Sequence, residues 1–234
     1  MDVIEKVESP SQWMSPVIVV PKPGGKDVRL VVDMRAANQA VMRESHPIPT
    51  VDEVLHDMNG AKVFSKLDLK YGYHQIELDP DSREITTFVT HKGLFRYKRL
   101  IFGINAASEK FQNIISQALQ GCEGAQNISD DIVVYGANQE EQYQRLRKVM
   151  HKLSEANLTL SKEKCEFGMD EITFTGHVLS EHGIGPTEER VKDFANAERP
   201  RSISEVKSFL GLVNFSGRFI KELARKSSSL ERTY

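Results

Sequence analysis

Mostly antiparallel strands backed by helices, an α+β arrangement with a helical tail, are what this 234-residue chain predicts. Short β-branched runs recur at hairpin spacing around residues 17–32, 86–97, 128–135 and 172–184, separated by Gly, Pro, Asn, Asp or Ser. Between them, residues 105–119 and 138–153 carry apolar side chains at helical spacing. Beyond Pro186 the texture turns helical, with only Pro200 interrupting.

Residues 1–14 are poorly patterned. The runs 17–20 and 28–32 flank a turn at 21–26 (PKPGGK), which reads as a hairpin with a Gly-rich, basic tip. It lacks the spacing and the Ser/Thr of a Walker A loop. Lys22, Lys26 and Arg29 put cations near a flexible backbone, as a triphosphate grip needs, and a solvated hairpin tip needs no more. Thr50 opens a short helix with Glu53 at the capping-box position; Val51, Val54, Leu55 and Met58 form its apolar face and Gly60 stops it. A mostly apolar strand at 64–69 follows, then Tyr71-Gly72-Tyr73 and a run at 74–78.

The hairpin about His91-Lys92-Gly93 bears Lys92, Arg96, Lys98 and Arg99 interleaved with Phe95 and Tyr97. That mixture suits phosphates and stacked bases; a charged outer face with its aromatics on the core side is the alternative. In the helix at 105–119, Ala107, Phe111, Ile114, Ile115 and Ala118 share one face. Asn138 with Glu141 caps the next helix, which turns Leu146, Val149, Met150 and Leu153 inward. Thr187 caps one tail segment, and Ser202 with Glu205 caps another carrying Val206, Phe209, Leu210 and Val213.

Composition narrows the possible functions. Formal net charge is −2, so a nucleic-acid partner would be held by local patches rather than by a global field. Cys122 and Cys165 lie far apart with no C-x-x-C, which argues against a disulfide framework or zinc site. No run approaches the length of a membrane span, and the N-terminus does not read as a secretory signal. The N-x-[ST] triplets at Asn127, Asn157 and Asn214 are accordingly read as chance matches.

The chemistry concentrates at residues 127–136 (NISDDIVVYG). Ser and Asp form turns while residues 132–135 have strand composition, so Asp130 and Asp131 sit at or beside a hairpin bend. Adjacent acids alone mark a solvated turn. Asp68 changes that reading, because a carboxylate between Leu67 and Leu69 is costly in a strand unless something pairs it. A strand that brings Asp68 beside Asp130 would make a three-carboxylate cation site suited to Mg²⁺.

Residues 15–22, 29–38 (RLVVDMRAAN), 64–78 (FSKLDLKYGYHQIEL), 99–112 (RLIFGINAASEKFQ) and the 128–135 hairpin resemble successive blocks of a reverse transcriptase. Residues 160–167 (LSKEKCEF), Gly176-His177 and 208–220 (SFLGLVNFSGRFI) continue the series in order. The chain most resembles the polymerase of gypsy-class LTR retrotransposons. That resemblance implies a right-hand polymerase fold whose antiparallel palm sheet is backed by helices: fingers at 1–43 and 76–106, palm at 44–75 and 107–183, and the start of a thumb or connection at 184–234. No ribonuclease H acids can be assigned, and the chain stops where the family continues.

The same resemblance implies site residues. Asp68, Asp130 and Asp131 match the catalytic, metal-binding acids. Lys22 and Arg29 match the grip on the incoming triphosphate, Tyr73 the residue under its sugar, and Phe102-Gly103 the floor of its pocket. Thr175, Gly176 and His177 match the grip on the primer end, while Lys92, Arg96, Lys98 and Arg99 are the candidate nucleic-acid patch. Asp33 and Arg35 match a structural pair; Asn38 and Gln112 match the motifs without an assigned role. The implied activity is RNA-directed DNA polymerisation with two Mg²⁺, Mn²⁺ being an alternative, on an RNA or DNA template-primer with deoxynucleoside triphosphates. The setting implied is a retroelement particle in the cytoplasm, or the nucleus, with other Pol domains such as ribonuclease H and integrase outside this chain.

Ile128 stands where many relatives carry Tyr, Ile101 and Ser108 where they carry Pro, and 215–218 replaces a more aromatic and basic stretch. An inactive, truncated or host-adopted nucleic-acid-binding module is the alternative function.

Overall fold

The computed structural model describes residues 2–21, 28–42, 49–58, 60–215 and 217. Its strands are β1 (Ile4–Val7), β2 (Val17–Pro21), β3 (Val28–Val32), β4 (Val63–Asp68), β5 (Phe88–Thr90), β6 (Gly93–Tyr97), β7 (Ala125–Ile128), β8 (Asp131–Gly136), β9 (Glu166–Met169), β10 (Glu171–Phe174), β11 (His177–Ser180) and β12 (Gly183–Pro186). Its helices are α1 (Val51–Asp57), α2 (Ala107–Ala118), α3 (Gln139–Glu155), α4 (Glu188–Ala195) and α5 (Ile203–Phe215).

The central sheet has the order β7-β8-β4-β9, with every pair antiparallel. Side chains alternate across a strand, so β4 and β8 feed two cores. Leu67, Ile132 and Val134 pack with Phe111 and Ile115 of α2 and Val149 and Leu153 of α3. Phe64, Val133 and Tyr135 pack on the other face with Val54, Met58, Ile172, Phe174 and Leu179. Helices therefore cover one face, while α1 and the β10-β11-β12 meander cover part of the other.

A second region is built from the sheet β1-β6-β5 and the β2–β3 hairpin. Val32, Met34, Ala37, Phe88, Tyr97 and Ile101 form its core. The hairpin projects from that core with Ile18, Val19, Val20, Val28, Leu30 and Val31 exposed.

The capping signals form as expected. Glu53 accepts from the Thr50 amide at 2.7 Å while Thr50 Oγ1 accepts from the Glu53 amide at 3.2 Å. Asn138 Oδ1 accepts from the Glu141 amide at 2.9 Å, and Ser202 Oγ from the Glu205 amide at 3.2 Å. The unpatterned N-terminus contains β1, whose residues pair with β6. The run at 74–78 is not extended throughout: Gly72–Gln75 makes a 3₁₀ turn, entered from Tyr71 at φ 64°. Met150 is exposed rather than turned inward.

Candidate active site

Asp68 and Asp131 are register partners at the end of the β4–β8 pair. Directly opposed residues share a face, and that face also carries Lys66 and Val133. Both acids therefore point away from α2 and α3, toward the side covered by the meander. Asp130 lies one residue earlier, exposed in the two-residue turn Ser129-Asp130 that joins β7 to β8. Ser129 has φ 55°, the positive value that tight hairpin turns use at their first position. The Asp130 carbonyl accepts from the Leu69 amide at 3.3 Å, tying the turn to the end of β4. Asp131, not Asp130, is thus the acid directly beside Asp68.

Two lysines meet these acids. Lys164 Nζ is 3.3 Å from Asp68 Oδ2, and Lys66 Nζ is 3.6 Å from Asp131 Oδ1. Burial raises the Asp131 carboxyl pKa; Lys66 opposes that shift, and the charges of Asp130 and Asp68 add to it. The Asp68 amide donates to Cys165 Sγ at 3.4 Å, and burial pushes that thiol up.

The donor set is all carboxylate, and two of its members already hold an ammonium, so it suits a hard cation. Among the described residues no three His, Cys, Asp or Glu side chains stand close enough to close a metal site alone. Further oxygens would have to come from water or a phosphate substrate, which is how Mg²⁺ is commonly held.

Gln112, on α2, is buried against the turn. Its Nε2 donates to the Asn127 carbonyl at 3.0 Å, and its Oε1 accepts from the Ser129 amide at 2.8 Å. Ser116, one helical turn on, donates to Asn127 Oδ1 at 3.2 Å.

Tyr73 is half-buried at the edge of the helix-side core, with its ring centroid 4.6 Å from Phe102 and 5.0 Å from Phe111. Burial, then the charges of Asp130 and Glu109, raise its phenol pKa, which places the ring within the field of the acid turn. Phe102 is 63% exposed, and Gly103 has φ 93°. Asn38 holds this bend from both sides: its Nδ2 donates to the Gly103 carbonyl at 2.7 Å, and its Oδ1 accepts from the Asn105 amide at 2.9 Å. Asp33 and Arg35 form their expected pair at 2.6 Å, and the guanidinium holds the Asp33 carboxyl down at about 2.

Lys22 and Lys26 lie outside the described residues, and Arg29 is described only as a backbone position in β3. Thr175 and Gly176 form the β10–β11 turn at φ 47° and 76°. A Cβ on Gly176 would lie 2.5 Å from Arg190 Nη2, so α4 closes directly over this turn. His177 is fully buried, with Nδ1 donating to the Thr175 carbonyl at 3.1 Å, so its imidazole braces its own hairpin.

The basic patch is also largely engaged within the chain. Arg96 pairs with Glu5, Lys98 with Asp2, and Arg99 donates to the Gln75 carbonyl at 3.2 Å. Lys92 stands exposed in the β5–β6 turn, while Phe95 and Tyr97 turn into the core beside it. The alternative of a charged outer face backed by core aromatics therefore describes most of this patch.

Lys66, Lys164 and the Gln112 clamp were not assigned from sequence. The lysines carried a signal, since Lys66 lies two residues before Asp68 and so on its face. Gln112 matched the motif, but its clamp on the turn depends on how α2 packs.

The family model for reverse transcriptase (RNA-dependent DNA polymerase) matches residues 20–179. The chain is 37% identical over 97% of its length to the retrovirus-related Pol polyprotein from transposon 412 of Drosophila melanogaster, and it spans 19% of that relative. The foamy viral protease-reverse transcriptase solved in complex with double-stranded DNA superposes at TM-score 0.83 and 30% identity, over 91% of this chain and 37% of the other. The same viral enzyme solved with an RNA/DNA hybrid superposes at 0.78 and 29% identity, over 91% and 28%. The chain belongs to the reverse transcriptase family, within the right-hand polymerase fold.

Proposed function

We propose that this chain is the fingers, palm and first part of the thumb of a retrotransposon polymerase, adding deoxynucleotides to a primer 3′ end on an RNA or DNA template. The observation that carries the reading is the acid group itself: Asp68 opposite Asp131 on the sheet face away from α2 and α3, with Asp130 in the adjoining turn. The likeness to enzymes solved on double-stranded DNA and on an RNA/DNA hybrid supports a template-primer as partner. The fingers would span 1–43 and 76–106, and the palm 44–75 and 107–183.

In the reaction, the primer 3′-oxygen bonds to the α-phosphorus of the incoming nucleotide, and the bond to pyrophosphate breaks. Two Mg²⁺, when bound, would supply Lewis-acid stabilisation of the attacking and leaving oxygens. Asp68 and Asp130 would hold them, with Asp131 supporting. Tyr73 and Phe102 would form a rigid apolar wall beneath the sugar, and the Asn38-clamped Gly103 bend would set its height. Lys22 and Arg29 would neutralise the β- and γ-phosphates. The half-exposed turn Thr175-Gly176 would hold the primer end through its backbone. Ribonuclease H and integrase chemistry would be supplied by other parts of a polyprotein.

The test is primer extension on an RNA template with Mg²⁺. Wild type should extend, and Asp130→Asn, with its fold verified by circular dichroism, should not. Extension by Asp130→Asn near the wild-type rate would overturn the reading.

A further inference from the structure

Lys66 stands on the strand that carries Asp68, on the same face, and its ammonium has partners on two other elements. It lies 3.6 Å from Asp131 Oδ1 on β8 and donates to the Thr173 carbonyl on β10 at 3.2 Å. Its side chain is 21% exposed and that of Asp131 is 30% exposed, so water screens the pair only in part. Thr173 is two residues before Thr175 in the β10–β11 turn.

We infer that Lys66 is a positioning residue that keeps Asp131 out of the cation site and sets the spacing between the acids and the β10–β11 turn. This rests on the function proposed above. Three carboxylates at one sheet end repel one another, and a cation shared by all three would be drawn toward the sheet. Lys66 supplies a built-in counter-charge to Asp131, whereas the Lys164 ammonium that meets Asp68 is 68% exposed and free to give way to an entering ion, so Asp68 and the exposed Asp130 are the acids left for exchangeable ions. The same ammonium, bonded to the Thr173 carbonyl, ties the meander to the strand that carries Asp68. Lys66 thus trades cation affinity for geometry, which no residue acting only in folding would do.

The test uses the full chain and Mn²⁺ alone, with free ion read by electron paramagnetic resonance, alongside primer extension. Lys66→Met should bind Mn²⁺ more tightly, by roughly 3- to 10-fold, because a competing positive charge has gone and Asp131 is released. Extension by the same variant should fall. Adding Asp131→Asn to Lys66→Met should cancel the gain in affinity, and Lys66→Arg should keep the wild-type affinity. Lys66→Gln, which can still donate to a carbonyl, serves in place of Lys66→Met if the latter does not fold. Unchanged or weaker Mn²⁺ binding in a folded Lys66→Met or Lys66→Gln chain overturns the inference, as does a gain that survives Asp131→Asn. Asp68→Asn separates the two claims. If it weakens Mn²⁺ binding while the lysine variants show no gain, only the role of Lys66 falls; if it leaves binding unchanged, the proposed function falls and takes this inference with it.

Discussion

The side-chain carbonyl of Gln112 accepts the Ser129 amide at 2.8 Å, while its amide nitrogen donates to the Asn127 carbonyl at 3.0 Å. One side chain on α2 thereby satisfies backbone groups on both sides of the bend that carries Asp130. Gln112→Leu keeps the volume but leaves that buried donor and acceptor without their partner, at about 1–3 kcal/mol for each unsatisfied group. Urea unfolding should show the midpoint falling by a corresponding amount, with the slope unchanged. A midpoint equal to wild type would mean that water replaces the clamp.

Asp131 should make stability depend on pH. Its folded pKa is raised, chiefly by burial, so ionising it costs more in the folded than in the unfolded chain. The penalty is absent below the unfolded carboxylate pKa, near 3.9, and is fully present above the raised folded value. Without divalent cations, Asp131→Asn should therefore raise the melting temperature at pH 7 and give no gain near pH 3. A stabilisation independent of pH would assign the effect to packing instead.

How far this site was legible before the structure differs from residue to residue. Asp130 and Asp131 announced themselves because a Ser-Asp-Asp bend before a β-branched run is local chemistry. The helix starts at Thr50, Asn138 and Ser202 were legible for the same reason. β1 was not, because Ile4–Val7 holds two charged residues in four, and its partner β6 lies some ninety residues on. β9, an edge strand with two exposed side chains flanking Gly168, gave equally little pattern. His177 was legible as a motif member, but its burial depends on the packing of the whole meander.

Tyr73 is packed between Phe102 and Phe111, which is the geometry of a fixed wall rather than of a mobile ring. A ribose hydroxyl pressed against it would lose its water without a partner, at about 1–3 kcal/mol, or one to two orders of magnitude in rate. Tyr73→Val should raise ribonucleotide use relative to deoxyribonucleotide use by about that factor, measured as the ratio of kcat/KM on one template. Because the valine also leaves a hole beside Phe111, some loss of stability should accompany the change. Equal loss for both sugars would return Tyr73 to a purely structural role.

Gly103 adopts φ 93°, and a Cβ there would sit 3.5 Å from Met34 Cγ, an ordinary contact. The cost of Gly103→Ala is therefore backbone strain, about 1–3 kcal/mol, rather than collision. Asn38→Ala should loosen the same bend by removing both of its side-chain bonds. Each variant should raise KM for the nucleotide more than it lowers kcat. A pure kcat effect would mean that the bend does not form the nucleotide floor.

Lys98 and Arg96 are committed to Asp2 and Glu5, whereas Lys92 is exposed. Fluorescence anisotropy with a labelled template-primer should show Lys92→Ala weakening binding and flattening its salt dependence, with Arg96→Ala and Lys98→Ala doing less. The opposite ranking would mean that the ion pairs open on binding.

The β2–β3 ribbon has a practical consequence. Apolar side chains exposed along both strands, with their outer edges unpaired to any further strand among the described residues, make a surface onto which another chain can add by backbone hydrogen bonding. The concentration at which preparations stay monodisperse should therefore be set by this hairpin and not by the central β7-β8-β4-β9 sheet. Threonine in place of Ile18 and Val31, neighbours across the ribbon, is the substitution pair that should raise that ceiling while keeping strand propensity.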